Sequence, residues 1–226
     1  MKIIFLPNVV SVLVFDIDLT LYDDHDYVAM QVRLLIERLA EELGRPLQQI
    51  QQEVTELRSS YAETHGGRKP SLGNTFLQCG IDIQTSVRWR EELFEPEVYL
   101  HEDRLLAEVL NRLSKHFIIS AVTNNPTSTG ERTLRALGVD SFFSHTIGLD
   151  LSGVSKPSMI PFEIVAEKTG MVVAEMVSIG DRMEIDIELP VKHGMGGILV
   201  EGVDDVYTLP DFLIPAEAPP DGRTLE

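Results

Sequence analysis

The chain has 226 residues, 43% of them hydrophobic and 24% charged, so it can bury a real core and reads as one domain with an insertion rather than two independent domains. Its formal net charge of -17, from 19 basic and 36 acidic side chains, sets it against duplex nucleic acid and anionic membrane surfaces. The single Cys79 excludes an internal disulfide, fits a reducing compartment and is expected to pack in a helix rather than react.

Met1 to Val10 is apolar but broken by Pro7 and Asn8 before a secretory h-region develops, and the residues give it no role. No apolar run reaches the roughly 20 residues of a membrane span, so a cytoplasmic protein is expected. Val12-Leu-Val-Phe15 reads as a buried parallel strand delivering Asp16, Asp18 and Thr20, spaced D-x-D-x-T, to its carboxyl end. Helical stripes follow at Val28 to Leu43, ended by Gly44 and Pro46, and at Leu47 to Tyr61, ended before Gly66-Gly67 and the basic turn Arg68-Lys69-Pro70. Shorter helical patterns at Leu72 to Cys79 and Thr85 to Phe94 complete a block without a clear strand, from Asp23 to about Leu100.

From His101 the pattern alternates. Leu105 to Leu113 is a helix, His116 to Val122 a strand, Thr127 to Leu137 a helix closed by Gly138, and His145 to Leu149 a short strand. Pro161 to Lys168 is a helix ending at Gly170, Met176 to Ile179 a strand, Glu184 to His193 a helix bent at Pro190, and Gly197 to Val200 a strand. Alternation of this kind implies an α/β fold with a doubly wound parallel sheet, whose ligands sit at the strand carboxyl ends. The stretch from Pro215, rich in Pro and acid, is expected to fray.

Polar clusters fall at those ends. Paired acids at alternate strand positions need a cation or a shared proton, so Asp16 and Asp18 point to a divalent metal, proton transfer or both; the bland reading is a polar strand end running into a turn. Thr123-Asn124-Asn125-Pro126 offers hydroxyl, amide and backbone donors to a phosphate, or is a helix cap. Lys156, in Ser155-Lys156-Pro157, is a solvated surface charge or the cation that lets an anionic substrate approach Asp16. Gly180-Asp181 with Asp186 could give one oxygen ligand and one supporting carboxylate to a hard cation, or Asp181 an N-cap.

In that order, Asp16-x-Asp18-x-Thr20, Thr123-Asn124, Lys156 and Gly180-Asp181-x-x-x-x-Asp186 resemble the haloacid dehalogenase superfamily on its phosphatase side, over nearly the whole chain. Leu21-Tyr22-Asp23, the Gly66-Gly67-Arg68 turn and Thr-Asn in the second motif look most like its pyrimidine 5′-nucleotidase branch. The resemblance implies a Rossmann-like core at 1–22 and 101–226 with an all-helical cap at 23–100. It implies Asp16 as nucleophile and Asp18 as general acid and base. It also implies Mg²⁺ on Asp16, the backbone carbonyl of Asp18 and Asp181, supported by Asp186, with phosphoryl oxygens held by Thr123, the Asn124 amide and Lys156. Arg68 and Lys69, with His65 behind them, are the cap residues expected to reach a small phosphate ester; each is equally readable as part of a solvated basic loop. Leu19 departs from the small or polar residue often found there, without removing a functional group. A nucleoside 5′-monophosphate is one substrate among several small esters, and monomer and homodimer both fit. A phosphomutase, a phosphonatase using Lys69, or a silent binding protein are the alternatives; a dehalogenase has no need of Asp18 or Asp181.

Overall fold

The computed structural model describes residues 1–214; the fraying expected from Pro215 falls outside them. Six strands form one sheet: β1 (Lys2–Phe5), β2 (Val12–Phe15), β3 (Ile118–Val122), β4 (His145–Ile147), β5 (Met176–Gly180) and β6 (Gly196–Leu199), in the order β1-β6-β5-β2-β3-β4. β2 is central and pairs in parallel with β3 and β5, while β4 and β6 extend the parallel set outward.

Alternate side chains of β2 enter different cores, as the two-residue repeat of a strand requires. Leu13 and Phe15 pack with Leu106, Val109 and Leu110 of α6 (Arg104–Leu113) and Val206 and Leu209 of α11 (Val203–Leu213). Val12 and Val14 pack on the other face with Phe162 and Val165 of α9 (Ile160–Thr169). Helices on both faces are why β2 and β5 are buried throughout, and apolar but for Ser178 of β5, rather than alternating.

The insertion between β2 and α6 is helical. It comprises α1 (His25–Leu43), α2 (Leu47–Thr64), α3 (Leu72–Gln78), α4 (Ile83–Leu93) and a short α5 (Pro96–Tyr99). Asp24 caps α1 by accepting the Tyr27 N–H at 2.8 Å, and Gly44, at φ 61°, closes it in the left-handed conformation that glycine adopts without strain. Leu35, Leu39, Ile50, Val54, Phe76, Trp89 and Phe94 form a separate apolar core for this block. Each such side chain contributes roughly 1.5–3 kcal/mol by leaving water. Cys79 is half-buried just past α3, against that core.

Several expectations are corrected. Met1 to Val10, given no role from sequence, supplies β1, which runs antiparallel to β6 with an irregularity between Ile3 and Phe5. The sheet is therefore parallel except at this edge; the partly exposed pattern of β1 lacks the apolar signature of its buried neighbours. β3 begins at Ile118 rather than His116, and β4 ends at Ile147 because Leu149 opens α8 (Leu149–Ser152). α7 (Thr127–Ala136) falls as expected, and α11 was not foreseen.

The stretch Glu184 to His193 is two segments. A π-helical turn, Met183–Ile187, precedes α10 (Glu188–Lys192), and Pro190 lies in the first turn of α10 rather than at a bend. Pro190 has no N–H to give the carbonyl four residues back, that of Asp186. The buried Ser178 hydroxyl of β5 donates to this carbonyl instead, at 2.7 Å, and so ties the backbone of Asp186 to the sheet. Ser178→Ala is expected to cost about 1–3 kcal/mol by chemical denaturation, the cost of an unpaired buried carbonyl. Adding Pro190→Ala, which restores a donor, should recover part of that loss in a double-mutant cycle.

Candidate active site

Asp16 follows β2 directly, and its N–H donates to the Ile179 carbonyl at 2.8 Å, so the central pair of strands fixes its position. Asp181 follows β5, and Asp186 lies in the π-helical turn behind it. Carboxylate oxygens of Asp16, Asp181 and Asp186 lie within 4.8 Å of one another, with Asp16 and Asp186 buried. Lys156, 2% exposed, sits among them. Its ammonium donates to Asp16 Oδ1 at 2.7 Å, Asp186 Oδ1 at 2.7 Å and the Val122 carbonyl at 2.9 Å, which uses all three of its N–H groups. Burial works against the charge of Lys156, but Asp16 and Asp186 outweigh it and hold its pKa above the ordinary lysine value.

The acids are also shifted upward, which for them disfavours the charged form. Burial, then the charges of Asp16 and Asp186, push Asp181 up to about 7, and burial with Asp16 raises Asp186. Asp16 Oδ2 and Asp181 Oδ1 are buried and accept no hydrogen bond among the described residues, although the Arg182 guanidinium stands 3.7 and 3.5 Å from them. A compact set of hard carboxylate oxygens, short of donors, fits a hard divalent cation such as Mg²⁺.

Asp18 is turned away from this cluster. Its carboxylate accepts from the Tyr22 hydroxyl at 2.6 Å and from Asn125 Nδ2 at 2.9 Å. Burial and the neighbouring Asp16 lift its pKa to about 6 against the lowering effect of Tyr22, so near neutrality it exists in both protonation states. Leu19, directly after Asp18, adopts φ 57°, a left-handed conformation that costs a non-glycine residue about 1–2 kcal/mol. This tight turn carries the chain from Asp18 on to Thr20, which is fully buried.

The loop after β3 carries the second cluster. Thr123 Oγ1 accepts the Asn125 N–H at 3.1 Å, and the Asn124 side chain accepts the Lys156 N–H at 2.7 Å, so Asn124 holds the lysine loop in place. The Asn124 N–H has no acceptor among the described residues and is available, whereas that of Thr127 is taken by Asp150 at 2.6 Å. Gly180 is required by proximity: a Cβ there would lie 2.5 Å from Asp186 Cβ.

A cavity of about 150 Å³ opens between core and insertion, lined on the core side by Asp18, Leu19, Asn124, Asn125, Asp181 and Arg182. Arg68, Lys69 and His65 are not among its lining residues. Arg68 is half-exposed and donates to Glu188 of α10 at 2.8 Å, Lys69 is exposed, and His65 stacks on Tyr61 with ring centroids 3.7 Å apart. Of the two side chains that hold Asp18, Tyr22 has no chemical role legible in the sequence, and Asn125 reads there only as part of a phosphate-binding or helix-capping cluster. Asn125 stands beside Thr123-Asn124 in the motif, but nothing in the spacing shows that its side chain turns back to Asp18.

This fold and this set of side chains are those of a hydrolase. Residues 10–194 match the family model described as haloacid dehalogenase-like hydrolase, and the chain belongs to that family. The 5-amino-6-(5-phospho-D-ribitylamino)uracil phosphatase YigB of Escherichia coli is 23% identical over 91% of this chain and 90% of its own length. The phosphoglycolate phosphatase of Neisseria meningitidis is 32% identical over 42% of this chain and 44% of its own. Among solved structures, the HAD-hydrolase YfnB of Bacillus subtilis superposes with a TM-score of 0.56 at 19% identity, covering 89% of this chain and 99% of that one. A 2-haloacid dehalogenase from Pseudomonas syringae does so at 0.54 and 21%, covering 90% and 98%. These likenesses establish the fold.

Two outcomes follow from the geometry. Gly180→Ala should displace Asp186, lowering activity by roughly 10²-fold while circular dichroism reports a folded chain. Tyr22→Phe and Asn125→Ala should each lower kcat about tenfold with little change in KM, as expected of groups that orient Asp18 rather than bind substrate.

Proposed function

We propose that this chain is a Mg²⁺-dependent phosphatase that hydrolyses a small-molecule phosphate monoester through an aspartyl phosphate on Asp16. The observation that carries this reading is the division of labour between the two acids: Asp16 presents Oδ2 without a hydrogen-bond partner while Lys156 holds its Oδ1, and Asp18 stands apart with a pKa of about 6. Two relatives named as phosphatases support the same reaction class.

In this mechanism Asp16 Oδ2 attacks phosphorus in line with the leaving alcohol oxygen. Asp18, in its neutral form, gives that oxygen its proton as the P–O bond breaks; as a carboxylate it then takes a proton from the water that attacks the acyl phosphate, and Asp16 is released. Tyr22 and Asn125 keep Asp18 in place for both transfers. The Thr123 hydroxyl and the Asn124 N–H hold non-transferring phosphoryl oxygens. Lys156 contributes its charge, and an oxygen that binds it directly has to replace one of its three present acceptors. Mg²⁺ on Asp16, Asp181 and Asp186 and the backbone carbonyl of Asp18 would supply positive charge against the carboxylate and phosphoryl oxygens.

The cavity limits the leaving group. Sites for drug-sized ligands run to about 300–1,000 Å³, against about 150 Å³ here, which favours a short alcohol over the nucleoside suggested by the nucleotidase-like motifs. Lys69, exposed and outside the cavity, gives no support to a phosphonatase.

Phosphate release from p-nitrophenyl phosphate and a panel of small esters, a nucleoside 5′-monophosphate included, tests the reading. Turnover should require Mg²⁺ and fall by roughly 10³-fold or more in Asp16→Asn. Metal-independent turnover, or turnover that survives Asp16→Asn, contradicts it.

A further inference from the structure

The wall of the cavity opposite Asp18 carries a cation that the chemistry of Asp16 leaves unused. Arg90, on α4, is 4% exposed, yet among the described residues no carboxylate lies within ion-pair distance of it. One of its nitrogens, Nη1, donates to the Ser86 carbonyl at 2.9 Å and to the Ser86 hydroxyl on the same helix. Nε and Nη2 make no hydrogen bond among the described residues, and Arg90 lines the cavity together with Asp18. Burial lowers its pKa to about 10, partly offset by the charge of Asp18, so the guanidinium stays protonated at neutral pH.

A second buried donor faces the same space. Gln31 of α1 is 6% exposed and lines the cavity, and its Nε2 donates no hydrogen bond among the described residues. A buried cation with no directly paired carboxylate is costly even with the charge of Asp18 nearby, and holding Ser86 alone calls for no charge. The Nε and Nη2 edge of a guanidinium presents two parallel N–H groups that match the two oxygens of a carboxylate. Val28, Val32, Leu35, Leu72 and Phe94 make most of the remaining wall on that side apolar, with Ser71 its one other polar side chain, so the polar groups there are few.

We propose that Arg90, assisted by Gln31, binds a carboxylate on the leaving group, which makes the substrate a short carboxylated alcohol phosphate. This inference rests on the phosphatase reading of the same cavity. The small volume agrees with it, favouring a two- or three-carbon hydroxy acid over a nucleoside. The acidic chain makes such a cation more consequential, since the field over the rest of the molecule, at -17, repels a dianionic or trianionic ester.

The test compares kcat/KM for 2-phosphoglycolate and for ethyl phosphate, which has the same two carbons and no carboxylate, in Mg²⁺. The wild-type protein should prefer the carboxylated ester at least tenfold, and Arg90→Gln should reduce that ratio tenfold to a hundredfold, mainly through KM. Comparing the ratio between the wild-type protein and Arg90→Gln cancels the different intrinsic reactivities of the two esters. Arg90→Lys, which keeps the charge but loses the paired donors, should fall between the two and decides the matter if Arg90→Gln folds poorly. A wild-type ratio near one, or an Arg90→Gln loss equal for both esters, overturns the inference and makes Arg90 a structural brace for Ser86. Failure of the phosphatase reading is distinct: no phosphate is then released from any ester, p-nitrophenyl phosphate included, and the inference falls with it.

Discussion

The structure depends on the crowding of negative charge at the ends of β2 and β5. Carboxylate oxygens of Asp16, Asp181 and Asp186 lie within 4.8 Å of one another, and at an effective dielectric of 20 each ionised pair at that range repels by about 3–4 kcal/mol. Lys156 answers only part of this. Its ammonium contacts two of the three acids and the Arg182 guanidinium stands 3.5 to 3.7 Å from all three, yet burial, with the charge of Asp16 added to it, still pushes Asp181 and Asp186 up. A fold that relied on this cluster for stability alone would do better with apolar side chains of the same volume. The arrangement makes sense as a receptor for added positive charge and, once that is bound, for a phosphoryl group.

The surrounding fold is arranged to hold that cluster. Parallel pairing of β2 with β3 and β5 brings Asp16, Thr123 and Asp181 to one sheet edge, and the bare backbone of Gly180 lets Asp186 come in behind. Asn124 ties down the loop that delivers Lys156, and Ser178 takes the carbonyl that Pro190 leaves without a donor. Each contact is worth about 1 kcal/mol or a little more in stability; their larger effect is to fix the positions of groups that repel one another. Asp18 shows the complementary device. Two neutral donors hold it outside the cluster, where Asp16 and burial leave it able to gain and lose a proton near neutrality.

The sequence made the core of this legible because strongly apolar strands end abruptly in acids, and buried charge of that kind has few uses. Asp16, Asp18, Thr123, Asn124, Lys156, Asp181 and Asp186 were all readable as site residues, and the structure brings them to one sheet edge. What it hid were relations that no spacing encodes. β1 has the partly exposed pattern of an edge strand, Tyr22 and Asn125 reach Asp18 across a turn and across the sheet, and the π-helical turn before α10 follows from hydrogen bonds rather than from composition. The helical insertion is the clearest example. Arg68, Lys69 and His65 drew attention as charged residues in a glycine-flanked turn, whereas Arg90 lies within an amphipathic helix next to Trp89, where sequence alone gives an arginine no direction. Only the packing of α4 against the core of the insertion and the cavity separates these two kinds of arginine.

The most direct test of the account is to trap the covalent intermediate. Asp18→Asn would be mixed with p-nitrophenyl phosphate and Mg²⁺, because the p-nitrophenolate leaves without needing a proton while the attacking water loses its base. After acid quench and borohydride reduction, peptide mass spectrometry should find Asp16, and no other carboxylate, converted to homoserine in near-stoichiometric yield. Release of p-nitrophenol with Asp16 unmodified, or modification at another residue, would contradict the central claim that Asp16 is the nucleophile around which these charges are arranged.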